Sequence, residues 1–433
     1  MKPIAVIGGG AAGIAAACCL AEQSQPVILL EGSARLGGRA ASFNYKKMNA
    51  EIDYGQHVSM RCCTETVRLL ELLGTADSLR FQPSLSVPVT LGKTRSPLFS
   101  VPALGPFSLL PSLLRYRHLS WRERFSALRF GAQLMRRPPG DELFSHWLSM
   151  GGQTERSIRR LWNPVCIASL NGTVNSLSAQ ATAFLFSHAF LSPHGGDLGL
   201  FTAPLSQIFS HAIPFLNARA GEVMLRSPVK RIIIEGRTAT GIELATGGKI
   251  ETVAIIAALP PSSLLPILPQ GLSNDRYFKG MAKIPSSPIV NLHLWFDRPV
   301  MSVQFLIAVE SPIQAVFNVT KIHGKCGPPF HVVISQSAAA DWINLPMEEI
   351  KRALIPAVGE ILPLASNASL VHALVTKFPT ATFLPGPKTE KMRPWQRSPL
   401  ASLFIAGDYT ATGWPSTIEG AIRSGISAAK LVA

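Results

Sequence analysis

PIAVIGGGAAGIAAACCLAEQSQPVILLE, residues 3–31, carries the reading of the fold. PIAVIG (3–8) is a short apolar strand, AAGIAAACCLAEQ (11–23) reads as a helix of small residues, and VILLE (27–31) is a second strand ending in an acid. Between strand and helix, Gly8, Gly10 and Gly13 form GxGxxG, with Ala12 inside the motif. A strand before the motif and a helix after it make a weak pattern specific. Gly8 permits the tight turn, Gly10 lets backbone N–H groups approach a diphosphate, and Gly13 lets helix and strand pack closely. The helix N-terminus adds unpaired donors and a positive dipole end. Glu31, followed by Gly32, stands where an acid accepts from a ribose hydroxyl. A Rossmann-like dinucleotide site at the head of the chain is the prediction. The same pattern reads as mature structure rather than a secretory leader.

Next comes ARLGGRAAS, with Arg35, Gly37, Gly38 and Arg39. A glycine pair between arginines suits further phosphate contacts and points to a flavin dinucleotide rather than a nicotinamide one. Near the other end, LFIAGD (403–408) is an apolar strand, and PSTIEGAIRSGISAAKLV (415–432) is a helix with a capping box expected at Ser416 and Glu419. This second strand-turn-helix offers Gly407, Asp408, Ser416, Thr417 and Ile418 to the same ligand. Asp408 is placed to accept from ribityl hydroxyls, and the helix N-terminus to favour the anion of a reduced flavin ring.

The 433 residues are 47% hydrophobic and 15% charged, which excludes a disordered tail or a coiled coil. A formal net charge of +15 favours an anionic partner. No nucleic-acid-reading motif is present, so nucleic acid is not expected as a partner and an anionic membrane surface is. The stretch 115–140, RYRHLSWRERFSALRFGAQLMRRPPG, sets Leu, Trp and Phe among Arg115, Arg117, Arg122, Arg124, Arg129, Arg136 and Arg137, a pattern that suits either lipid headgroups or a solvated helix face. Six cysteines without CxxC or Cys/His spacing predict buried free thiols, a reducing compartment and no metal. The expected location is the cytoplasm, peripherally on the inner membrane.

GxGxxG, a distal acid, RxGGR and the closing AGDxT…PSTIEGAxRSG together resemble the FAD-dependent amine oxidase and phytoene desaturase superfamily, end to end. The resemblance implies an α/β fold, a Rossmann-like FAD-binding domain with an interleaved α+β substrate domain. The FAD-binding parts are expected at 1–80, 201–285 and 391–433, the helical part of the substrate domain at 81–200 and its sheet at 286–390. It also implies main-chain contacts to the adenine side near Val229. NLHLWFD (291–297) and HVVISQ (331–336) alternate as strands of that sheet.

DYGQH (53–57), LWNPVCIASLN (161–171) and ATGWPSTIEGAIRSG (411–425) look most like the bacterial hydroxysqualene dehydroxylases of squalene and hopanoid synthesis. That resemblance implies a C30 isoprenoid substrate whose allylic hydroxyl is replaced by hydride from reduced FAD. Asp53 or His57 is then the candidate acid, with Gly55, Gln56 and His57 also near the flavin. A single dinucleotide fingerprint leaves re-reduction to an external electron donor. A carotenoid desaturase or isomerase is the alternative enzyme, and an isoprenoid escort protein the non-enzymatic one.

Overall fold

The computed structural model describes residues 2–136, 140–190 and 194–432. Five parallel strands form its central sheet in the order β3-β2-β1-β4-β5: β1 (Ile4–Ile7), β2 (Val27–Leu30), β3 (Gly221–Met224), β4 (Ala254–Ala257) and β5 (Leu403–Ile405). β1, β2, β4 and β5 are buried along their whole length, as expected of short Val/Ile/Leu runs in a parallel sheet covered on both faces. Helix α1 (Ala11–Glu22) follows β1, and the last helix, α5 (Ile418–Val432), follows β5. The two helices pack side by side over the sheet. A Cβ at Gly425 would stand 2.0 Å from the Ala12 carbonyl oxygen, so only glycine allows the approach. The first and last strand-turn-helix units are therefore one structural object.

The second layer is a seven-stranded sheet in the order 370–383, 286–296, 330–337, 315–318, 305–308, 89–91, 94–95. Its neighbours run antiparallel except Phe305–Ala308 beside Val89–Leu91. Helix Met347–Ile361 closes one face through Ile350, Leu354, Val358 and Ile361. Strands 89–91 and 94–95 fall in the stretch expected to be helical. They join the sheet because Val89 and Thr90 pair with Ile307 and Ala308.

The remaining helices include α2 (Thr64–Leu72), which packs on α5, and α3 (Leu110–Arg115), α4 (Trp121–Arg136) and the helices Asn163–Leu170 and Ala179–Leu185. Asn171, with a left-handed φ of 50°, ends the helix Asn163–Leu170 at the Leu-Asn turn, and Ser178 caps the helix Ala179–Leu185 that follows. Arg137 lies outside the described residues. Of the six free thiols, Cys18 and Cys166 are buried, Cys326 is exposed and the other three are partly covered, so burial holds for fewer than expected. Among the described residues no group of three or more His, Cys, Asp or Glu is arranged to hold a metal ion, and no helix is long and apolar enough to cross a membrane.

Candidate active site

The turn after β1 is built by backbone. Gly8 adopts φ +103°, which strains any residue with a side chain, and its N–H donates to the Leu30 carbonyl at 2.7 Å. A Cβ on Gly13 would come within 1.8 Å of the Gly8 carbonyl oxygen, so helix and turn close directly on each other. Gly10 caps α1 without a side chain. Opposite it runs the Arg35–Arg39 loop, bridged to Gly10 at Gly37 and held by a Gly37 N–H bond to the Gly9 carbonyl at 2.8 Å. A Cβ on Gly38 would sit 3.0 Å from the Gly10 Cα. Two strips of bare backbone thus face each other across the start of a helix.

Glu31 directly follows β2 with both carboxylate oxygens engaged, one by the Gly9 N–H and one by the Ser33 N–H, each at 2.7 Å. It lines the cavity, and each oxygen keeps a second lone pair for a hydroxyl. Gly32 packs on Pro228, and Val229 stands just past the chain whose Arg226 and Ser227 amides donate to the Ser33 and Glu31 carbonyls. Arg35 is turned from the cavity: its guanidinium donates to the Ser42 carbonyl at 2.9 Å and fixes the loop.

Arg39 joins the two ends of the chain. Its guanidinium donates to the Ala381 carbonyl at 2.9 Å and pairs with Asp408, whose second oxygen accepts from the Ser416 hydroxyl. The Asp408 charge raises the Arg39 pKa further. Gly407, Asp408, Ser416, Thr417 and Ile418 all line the cavity beside Gly8, Gly10, Ala12, Gly37 and Gly38. The capping box expected of Ser416 and Glu419 does not form. Thr417 is the cap, its hydroxyl accepting from the Gly420 N–H at 3.1 Å. Glu419 is buried and crosses to α2, where it accepts from the Glu65 N–H at 3.1 Å and from the Thr66 N–H and hydroxyl at 2.7 and 2.8 Å. Cys63 at the N-cap of α2 makes no side-chain cap, so Glu419 supplies the negative charge that this helix end favours.

In DYGQH the structure separates the two candidate acids. Asp53 is buried away from the cavity, accepting from the Ser42 hydroxyl at 2.6 Å and the Leu205 N–H at 2.9 Å. Burial pushes its pKa up to about 6, but the proton has no path to a substrate there: Asp53 ties strand Ser42–Tyr45 to helix Leu205–Ser210, and its expected catalytic role is withdrawn. His57 does line the cavity. Its Nδ1 lies 3.0 Å from the Gly55 carbonyl, which only accepts, so the neutral ring carries its proton on Nδ1 and leaves Nε2 as an acceptor. Burial, with a smaller push from Arg39, lowers its pKa and keeps it neutral.

Sequence reasoning missed Asn291. In the sequence it stands only as the start of the alternating stretch NLHLWFD, yet its amide donates to the Tyr54 carbonyl at 3.1 Å and a Cβ on Gly55 would fall 2.8 Å from its nitrogen. Its Oδ1 is buried and unpartnered among the described residues, and the residue lines the cavity. A polar side chain opening the apolar run NLHLWF was the available signal.

From this cradle the cavity runs on between the sheets, with a volume of about 1440 Å³. Pockets for one small ligand hold roughly 300–1,000 Å³, so this one has room for a dinucleotide and a long second ligand. The walls beyond Gln56 and His57 are mainly apolar, including Leu85, Val89, Leu113, Leu161 and Phe305. The bare backbone at a helix start, the acid just after β2 and the orphaned acceptor at Asn291 fit a flavin dinucleotide.

Fold and site together define a flavoprotein with a Rossmann-like cofactor domain and an interleaved substrate domain. The chain belongs to the family of flavin-containing amine oxidoreductases, whose model it matches over residues 11–433. It is similar to the 15-cis-phytoene desaturase of Synechococcus elongatus, 24% identical with 98% of this chain and 94% of that protein covered. A probable zeta-carotene desaturase of the same organism is 23% identical, over 99% of this chain and 98% of its own. Among solved structures, an oxidoreductase from Methanosarcina mazei matches with a TM-score of 0.79 at 18% identity, covering 98% of this chain and 99% of its own. The cofactor is FAD, and the protein is an FAD oxidoreductase of the amine oxidase and carotenoid desaturase superfamily.

Proposed function

We propose that the protein removes the allylic hydroxyl of hydroxysqualene as water and puts hydride in its place, giving squalene for hopanoid or sterol precursors. The observation that carries this reading is the mainly apolar chamber continuous with the FAD cradle, in a cavity of about 1440 Å³ that has room for a long apolar ligand beside a dinucleotide. The resemblance of DYGQH, LWNPVCIASLN and ATGWPSTIEGAIRSG to the dehydroxylases narrows the substrate within the isoprenoids.

When bound and fully reduced, FAD would supply the hydride and, from its second hydrogen, the proton with which the hydroxyl leaves as water, so that alcohol and reduced flavin give hydrocarbon, oxidised flavin and water. The chain's own residues bind, shield and polarise. Apolar walls strengthen every charge interaction inside the chamber. Tyr54, Phe184, Phe378 and Trp414 line it, and aromatic rings of this kind stabilise the delocalised cation left when an allylic hydroxyl departs. With Asp53 turned away and His57 neutral, the Gln56 amide and the Tyr54 hydroxyl are the side-chain donors of DYGQH that line the cavity and can hydrogen-bond the departing oxygen. His57 Nε2 and Asn291 Oδ1 are acceptors that orient hydroxyl or amide hydrogens nearby. The electrons that restore reduced FAD come from an external donor in this scheme.

The desaturase relatives favour a second reading, oxidation of a carotenoid precursor. Photoreduced protein incubated without air on hydroxysqualene is expected to yield squalene as the flavin reoxidises. Desaturation of phytoene by the oxidised protein, with no squalene from the first experiment, would replace the dehydroxylase reading.

A further inference from the structure

Helix α3 has two faces. Leu113, with the flanking Leu109 and Tyr116, lines the chamber, while Leu110 on the same short helix is exposed. It belongs to a run of outward apolar side chains: Leu104, Phe107, Leu110, Trp121 and Phe125 all fall within residues 104–125, with Phe107, Trp121 and Phe125 each more than 60% exposed. Trp121 and Phe125 stand one turn apart on α4 with ring centroids 6.4 Å apart. Large apolar side chains are seldom concentrated like this on a surface facing only water.

The same run is basic. Arg115, Arg117 and Arg122 are exposed and have no ion-pair partner among the described residues. Its single acid, Glu123, is buried and occupied by Ser120 and Thr154. Arg124, expected among the headgroup-facing arginines, is instead folded back: it donates to the Leu114 and Leu119 carbonyls, and its guanidinium lies 4.6 Å from the Trp121 ring centre. It locks α4 onto α3 and holds Trp121 in place.

We propose that residues 104–125 dock on an anionic lipid bilayer and that α3 is the gate through which an apolar substrate passes from bilayer to chamber. Apolar side chains enter the headgroup–acyl boundary, and the unpaired arginines meet lipid phosphates. An uncharged protein partner would leave three arginines without counter-charges. The gate rests on the isoprenoid reading of the chamber, whereas the docking does not.

The test is flotation of the FAD-loaded protein with vesicles of phosphatidylcholine alone or mixed with phosphatidylglycerol. Wild type is expected to float with the mixed vesicles, at least about tenfold more than with the neutral ones, and to be released by high salt. The double variant Phe107→Ser/Phe125→Ser is expected to lose at least about tenfold in binding while keeping its flavin spectrum, because both side chains are already exposed. Wild type that stays in the aqueous phase, or a variant that floats as well as wild type, overturns the docking. For the gate, the variant is expected to lose turnover on substrate presented in vesicles and to keep it on the same substrate in detergent. Equal loss in both overturns the gate while leaving the flotation result standing.

Discussion

The FAD cradle and the apolar chamber share one cavity but are specified in different ways. In the cradle, backbone meets backbone: Gly13 closes on Gly8, Gly425 on Ala12, and Gly38 faces Gly10. In the chamber, side chains from a seven-stranded sheet and several short helices make the wall. A cradle built this way is the same for every substrate, while a chamber built of side chains is free to change with it.

The sharpest way to break that contrast is to put side chains into the cradle. Gly425→Val and Gly13→Ala each drive a Cβ into a carbonyl oxygen at 2.0 or 1.8 Å, where neither partner is the movable end of a side chain. The expected cost is at least about 4 kcal/mol, read as loss of folded, yellow protein. Gly10→Ala is the control, since its Cβ meets nothing nearer than 3.9 Å. That variant should fold with its stability in the absence of FAD changed by less than about 1 kcal/mol and bind FAD at least tenfold more weakly, because the added methyl enters the ligand's space. If both glycines tolerate a methyl equally, the cradle is not the rigid object described.

This difference also sets how much could be read from sequence. Backbone geometry writes itself as glycines at fixed spacing, so Gly8, Gly10, Gly13, Gly37 and Gly38 were legible, as was the pairing of the chain's two ends. The strands 291–297 and 331–336 were legible by alternation. Glu419 was read as part of a capping box because Ser416 precedes it by three residues, and nothing local reveals that α2, some 350 residues earlier, needs a negative charge at its start. Asp53 looked catalytic because an acid beside Gly, Gln and His resembles a site. Its partners Ser42 and Leu205 are brought to it only by the tertiary fold. Asn291 was hidden in an apolar strand for the same reason.

A second test acts on the substrate sheet. His293 is fully buried there, its Nδ1 3.1 Å from the Nε2 of His331, and burial lowers its pKa to about 4. His323 is likewise held at about 4, with Lys325 adding to the effect, and burial holds His331 well below the ordinary histidine range. Below the ordinary histidine range the unfolded chain takes up protons that the folded one refuses, so stability falls as the pH drops from about 6.5 to about 4. His293 alone accounts for about 3 kcal/mol across that window. Asp53 acts in the opposite sense between 3.8 and about 6, where the folded chain holds a proton that the unfolded one has lost. The histidines outweigh it. The melting temperature should fall steeply between pH 7 and pH 4.5, and His293→Gln should flatten that slope; a flat profile in wild type would mean that water reaches the sheet.

The smallest effects decide where chemistry begins within DYGQH. Asp53→Ala leaves the Ser42 hydroxyl and the Leu205 N–H without their acceptor, a loss of about 2 kcal/mol, while turnover per folded, FAD-loaded molecule changes less than about threefold. Gln56→Leu should do the reverse. Its side chain lines the cavity, and nothing in the fold depends on its amide among the described hydrogen bonds, so stability stays within about 0.5 kcal/mol. Turnover should drop about tenfold or more, because a departing hydroxyl loses a donor that stabilises its developing charge. Thermal melts beside single-turnover rates separate the two. If Asp53→Ala instead stops turnover in a protein that melts normally, the acid reaches the chamber after all, and the line drawn here between support and chemistry runs on the other side of that residue.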